Sequence, residues 1–273
     1  MEDSRRFDRL SILPALAVFL LALITGGYSQ NDNSPELVDK VAARMAGFPD
    51  IKDFEAEVSS MLINVDKNWK TKKTTLVEKI VRSRGGVREE EILSAVEMEK
   101  GRRKDVTRKV REETRKQQDK ARKEREKRKK KGQEEAEGGG HRRDLTLEQM
   151  LPFSEDKRQG YTFRQREDTS YEGKTVRVLE SRAKVRSDKF FEGTYYIDPD
   201  SYEVLRAFIQ PAKNPGPLKK MEMEFLFQIS PEGLFFVKET RVRVHVGLVI
   251  KNIRMEVQEL YKNFKALEPE IER

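Results

Sequence analysis

Tyr195-Tyr196-Ile197-Asp198-Pro199-Asp200-Ser201-Tyr202-Glu203-Val204-Leu205-Arg206 reads as a β-hairpin at nearly every position. Aromatic and β-branched runs flank a turn that its own residues specify. Pro199 fixes φ near the value wanted at the second position of a type I turn, and the Asp198 carboxylate can accept backbone amides beyond it. Working outward, the chain from Tyr161 to Phe264 is nearly all strand, with candidate strands at 160–168, 174–186, 190–198, 202–210, 218–229, 234–246 and 248–264. Asn214-Pro215-Gly216-Pro217 and Ser230-Pro231-Glu232-Gly233 punctuate them. The clearest alternation sets Met221, Met223, Phe225, Phe227 and Ile229 against Lys220, Glu222, Glu224 and Gln228. Val242, Val244 and Val246 against Arg241, Arg243 and His245 repeat it, and Val249, Ile253, Met255 and Val257 continue it. One face is dry and the other wet. Sequential strands with short connections predict an antiparallel meander, because a parallel crossover needs roughly a dozen residues or more.

Upstream, Ser34-Pro35-Glu36 starts a helix: a capping hydroxyl, Pro at the first helical position and an acid in the first turn. Leu37, Val38, Val41, Ala42 and Met45 share one helical face, and Gly47 with Pro49 ends it. Phe54, Ala56 and Val58 then alternate with Glu55, Glu57 and Ser59 as a strand. A turn at Asp66 to Lys70 leads to a second strand through Leu76, Val77, Ile80 and Val81, which Gly85-Gly86 stops. Residues 87–136 interrupt the β pattern: Ile92, Leu93 and Val96 predict a turn or two of amphipathic helix, and no bulky apolar residue follows Val110 until Leu145. The expectation is a solvated, fraying helix and then a flexible Gly138-Gly139-Gly140 link.

Charge is concentrated in that interruption. Residues 102–131 carry seventeen Lys and Arg against six Asp and Glu, a local charge of +11 in a chain of 273 residues whose total is +8. The rest of the chain is therefore weakly acidic, and the basic balance belongs to one inserted arm. No Phe, Tyr or Trp interleaves those charges, so base stacking has no platform and nucleic acid is disfavoured as a partner. Lys123, Arg125, Lys127, Arg128, Lys129, Lys130 and Lys131 are the candidates for contact with an anionic membrane surface or an acidic partner, and a solvated helix with no partner is the alternative.

At the N-terminus Arg5, Arg6 and Arg9 precede an apolar run from Ile12 to Ile24, broken by Pro14, with Gly26, Gly27 and Ser29 after it. This reads as an export signal with cleavage after Ser29, a retained anchor being the alternative. The chain has no Cys, which removes disulfides, a catalytic thiol and lipid attachment at the junction. His141 and His245 are isolated, so neither a zinc site nor a Ser-His-Asp triad has a local signature, and no metal, cofactor or enzymatic activity is expected. Gly173-Lys174-Thr175 mimics the end of a phosphate-binding loop, but Asp168 stands where its first Gly should be and a strand follows where a helix should.

The signal segment, the first helix, the strand opening on Phe54-Glu55-Ala56-Glu57-Val58 and the stretch from Gly193 to Arg206 together resemble the LolA/LolB-like periplasmic lipoprotein carriers. The likeness is to their divergent branch of outer membrane lipoprotein-sorting proteins, and covers about residues 34–86 and 145–264. It implies an α+β fold in which a curved antiparallel sheet, an unclosed half-barrel, wraps a short helical plug; the charged helix is an insertion. It also implies a periplasmic carrier whose apolar interior receives lipid or lipoprotein acyl chains between an inner-membrane exporter and an outer-membrane receptor. No site residue is carried over individually, and Trp69 matches no characteristic tryptophan of the family. The expected division is 1–29 signal, 30–86 and 144–265 half-barrel, 87–143 charged helical insertion and linker, and 266–273 tail. Met221, Met223, Phe225, Phe227, Val244, Ile253 and Met255 are the candidates to line a lipid cavity; ordinary core is the competing reading for the Met and Phe stripe. The rival function is an envelope sensor or scaffold that binds a protein partner or an anionic surface through the basic arm.

Overall fold

The structure, a computed structural model, describes residues 34–130 and 150–267 except 50, 52, 86 and 249–251. The expected signal segment, the Gly138-Gly139-Gly140 link, Lys131 and His141 lie outside the described residues. Chain order is α1 (Ser34–Ala46), β1 (Phe54–Val65), β2 (Thr71–Arg84), β3 (Val87–Glu99), β4 (Arg102–Asp105), α2 (Thr107–Lys130), α3 (Glu155–Arg158), β5 (Tyr161–Tyr171) and β6 (Lys174–Ala183). It continues with β7 (Phe191–Ile197), β8 (Val204–Pro211), β9 (Leu218–Ile229), β10 (Phe235–Gly247) and β11 (Asn252–Ala266). The strands form one 11-stranded sheet in the order β4-β3-β2-β1-β11-β10-β9-β8-β7-β6-β5. Every recorded pairing is antiparallel, and the only neighbours far apart in sequence are β1 and β11. The two ends of the series, β4 and β5, do not pair with each other, so the sheet stays open.

The hairpin that opened the sequence reading is β7–β8, and Asp198 acts as its residue type predicts. Its Oδ1 accepts the amides of Asp200 at 3.0 Å and Ser201 at 2.9 Å, which holds its carboxyl below the usual range. Tyr202 closes the turn in the left-handed region at φ 60°, with its N–H bonded to the Asp198 carbonyl at 3.0 Å. The tip then docks on α1. Arg44 reaches Glu203 through both Nε and Nη2, and Lys40 Nζ lies 5.0 Å from the Tyr202 ring centre. Leu37, Val38 and Val41 of α1 are buried, each worth roughly 1.5–3 kcal/mol of apolar burial. The expected capping hydroxyl of Ser34 accepts the Gln165 amide at 2.9 Å, tying the helix start to strand β5.

The helix expected at Ile92, Leu93 and Val96 is a correction: residues 87–99 are strand β3, paired along β2, and 102–105 form the short edge strand β4. Between β2 and β3, Gly85 turns the chain at φ 53°. The reason for the misreading is a bulge. Glu78 faces Ser94 while Lys79 faces Ile92, leaving Leu93 as the extra residue. That slip puts the buried Ile92 and Ala95 three apart and imitates helical spacing. The sheet therefore runs to Asp105 before the basic helix begins.

Candidate functional site

The register defines the dry face row by row. Leu62, Val257, Val242, Met223, Ile209, Gly193 and Ser181 are successive cross-strand neighbours from β1 to β6. The next row on one side is Phe225, Ala207, Tyr195 and Leu179, and on the other Met221, Val244, Met255 and Asn64, with Val246 and Ile253 beyond. All seven apolar candidates thus lie on the dry face of β9, β10 and β11, as period-two alternation requires. Their environments differ. Met223, Phe225 and Phe227 are buried in the main core with α1, Met150, Leu151 and Phe153. Met221 packs against that core from its margin, while Val244, Met255 and Ile253 are half-buried beyond it. The apolar surface runs without a break from the packed core into a part-open strip.

On the same face, over β1, β2, β3 and β11, a group of charges gathers around the buried Lys79, and the sequence reading missed it. Lys79, 7 % exposed, places Nζ 3.1 Å from Glu90 and 2.8 Å from Glu259. Arg88 bonds Glu90 at 3.0 Å, and the Tyr261 hydroxyl donates to Glu259 at 3.0 Å. Burial disfavours the Glu259 carboxylate, but Lys79 and then Arg88 outweigh it and hold its pKa below the usual range. Burial, reinforced by the Glu259 charge, pushes the Tyr261 phenol up to about 12. The signal was present in the alternation: Val77, Lys79 and Val81 put a lysine on an apolar row. Ala56, Val58 and Val81 form a small core beside it.

A groove of about 1130 Å³ crosses β1 and β6 to β11, and its lining is rich in charge, including Glu180, Arg182, Glu222, Glu224, Arg241 and Arg243. These six alternate with the dry-face residues, and of the seven apolar candidates only Met223 belongs to the lining. Arg206, on this wet face, bonds Glu224 and lies 4.3 Å from the Phe208 ring centre, with the Tyr171 and Tyr196 rings at 5.5 and 5.8 Å. This groove therefore lies on the face opposite the apolar strip.

The basic arm is a docked helix. Val106 is buried and its amide bonds the Ala95 carbonyl at 3.0 Å, so α2 starts from the sheet itself. Arg111 donates to the carbonyls of Ile92 at 2.8 Å and Leu93 at 2.9 Å, and Gln118 to that of Glu90 at 3.1 Å. These side chains satisfy part of the β3 edge left open beyond β4. Lys123 and Lys127 are exposed on the later turns, and Arg125, Arg128, Lys129 and Lys130 occupy backbone positions in the same helix. His245 lies 3.3 Å from Asn252, and among the described residues no cluster of three or more His, Cys, Asp or Glu could hold a metal. No helix among them is long and apolar enough to cross a membrane.

Comparison with solved structures finds distant likenesses. A domain assigned to outer membrane lipoprotein-sorting proteins from Vibrio parahaemolyticus aligns with 88 % of this chain and 95 % of its own, at 11 % identity and a TM-score of 0.40. A LolA superfamily protein from Nitrosomonas europaea aligns over 86 % and 94 %, at 12 % identity and a TM-score of 0.36. A DUF1329 family protein from Desulfovibrio piger aligns over 89 % and 95 %, at 12 % identity and a TM-score of 0.37. No function is carried across from likenesses this distant. No protein-family model matches the sequence, and no curated protein matches it.

Proposed function

We propose that the protein is a non-enzymatic envelope carrier that shelters the acyl chains of a lipid or lipoprotein on the dry face of its open sheet. It would take them from an inner-membrane exporter and pass them toward an outer-membrane receptor. The observation that carries this reading is the apolar strip that leaves the packed core at Met223 and continues half-buried through Met221, Val244, Met255 and Ile253. A chain laid along it gains about 0.8 kcal/mol per buried CH₂, so ten methylenes hold a cargo firmly and release needs a receptor that competes for them. The periplasmic setting rests on the export-type segment before Gln30.

The test is displacement of a fluorescent fatty acid from the protein and from Val244→Glu. Val244 is half-buried and central to the strip, so the added carboxylate is expected to leave the thermal midpoint near that of the parent protein and to abolish probe binding. Unchanged binding by the folded variant removes the strip from the cargo site. The charged groove favours a second reading, an envelope protein that grips an extended polypeptide between acidic and basic rows. Lipid-free protein that binds no acyl probe would turn the account toward it.

A further inference from the structure

Helix α2 has two faces, and the structure fixes which one looks outward. From Thr107 to Glu124 its half-buried positions are Thr107, Val110, Thr114 and Gln118, spaced three and four apart along one side. That side meets strand β3, where Arg111 and Gln118 bond the open carbonyls. At about 100° of rotation per residue, Lys109, Lys116, Lys123 and Lys127 fall within about 40° of the direction opposite that side, and Lys120 within about 55°. All five are exposed. Glu112 and Asp119 are the acids that share this sector, Glu112 being paired to Arg108 at 3.0 Å, while Glu113, Glu124 and Glu126 lie on the flanks. The result is a straight row of lysines about 27 Å long, pointing away from the sheet and held there by the clasp at its other side.

We propose that this lysine ridge docks the protein on an anionic lipid bilayer surface, as a peripheral electrostatic contact independent of the apolar strip. The chemistry selects the partner. Lysine is a strongly hydrated point charge that answers to a diffuse negative field, and planar, bidentate recognition would call for arginine. Single-stranded nucleic acid is gripped through aromatic platforms, and the ridge has none. It also has no apolar residue to insert, so the helix rests on headgroups without entering the acyl region. A flat surface can meet all five ammonium groups at once. The set differs from a simple count of basic residues, because Lys109, Lys116 and Lys120 belong to it and Arg108, Arg115 and Arg122 do not.

The experiment is co-sedimentation of the full chain with vesicles of phosphatidylcholine alone or with about one third phosphatidylglycerol, at about 50 and about 300 mM salt. The variant replaces the five ridge lysines by Gln, which keeps helix propensity. A matched variant replaces Arg102, Arg103, Arg108, Arg115 and Arg122 by Gln, an equal loss of charge. Helix content by circular dichroism confirms that both are folded. The apolar segment from Ile12 to Ile24 is common to all, so its contribution cancels in the ratio. Each surface lysine is worth about a fivefold change in partition, so the ridge variant should lose binding to anionic vesicles more than about a hundredfold. The matched variant should lose far less, and salt should abolish the difference. Equal losses in the two variants would show that net charge alone acts and would overturn the ridge. Binding of the parent protein to duplex DNA in preference to anionic vesicles, or no binding to either vesicle, would also overturn it.

Discussion

The Lys79 ammonium lies 2.8 Å from a carboxylate oxygen of Glu259, across β2 and β11, with Glu90 of β3 as its second partner at 3.1 Å. One buried cation thus joins carboxylates of β3 and β11, the second of them 180 residues from Lys79 in sequence. Lys79→Met keeps most of the volume and removes the charge, leaving two acids with Arg88 as the remaining cation. Loss of one partner of a buried pair should cost about 3 kcal/mol, read as a lower denaturant midpoint at unchanged slope. A change within about 0.5 kcal/mol would mean that water already pays for these charges.

The same group predicts a pH dependence. Glu259 has a folded pKa below its unfolded value, so it stabilises the protein above the unfolded carboxylate value of about 4.3. That contribution is lost as pH falls through the folded value. In Lys79→Met the folded value rises toward or beyond the unfolded one, so acid unfolding should begin at higher pH. Superimposable acid transitions of the two proteins would contradict the assignment.

Gly193 is required by close approach. A Cβ there would lie 2.3 Å from the Phe208 carbonyl oxygen and 2.6 Å from a methyl of Ile209. Because the first contact is to backbone, the neighbouring strand must move, and Gly193→Ala should cost about 2–3 kcal/mol in chemical unfolding. Gly173 meets nothing within 4 Å but has φ 79°, so Gly173→Ala is penalised by backbone conformation alone and should cost about 1 kcal/mol.

Arg111 clasps α2 to the β3 edge. Arg111→Ala should reduce global stability by only about 1 kcal/mol, since the guanidinium is exposed on one side. Hydrogen exchange along α2 should accelerate while the β9 amides keep their protection. Uniform acceleration across the sheet would show that the helix is integral to the core.

Much of this fold was legible in the sequence where the physics is local. Asp198 and Pro199 carry their turn in their own side chains, and Met221, Met223, Phe225 and Phe227 declare a dry face by strict alternation. Strand β3 was not legible, because the extra residue Leu93 broke the alternation and imitated helical spacing. The pairing of β1 with β11 has no local signature, since it joins segments about 200 residues apart. The clasp was equally hidden: Arg111 and Gln118 bond backbone carbonyls of Ile92, Leu93 and Glu90, and a carbonyl leaves no mark in a sequence. The candidate strip was found as a set of residues, but the division between core at Phe225 and open surface at Val244 depends on where α1 ends its coverage.

The central claim is that cargo lies on one face of the sheet, and two adjacent residues of β10 can report it. Val244 faces the apolar strip and Arg243, bonded to Glu256 at 2.9 Å, faces the other side. A photoreactive benzophenone side chain is placed at each position in turn, the protein is irradiated in intact cells, and the adducts are identified by mass spectrometry. The account predicts acyl-chain adducts from position 244 and none from position 243. Acyl adducts from 243, or protein adducts alone from both, would contradict it.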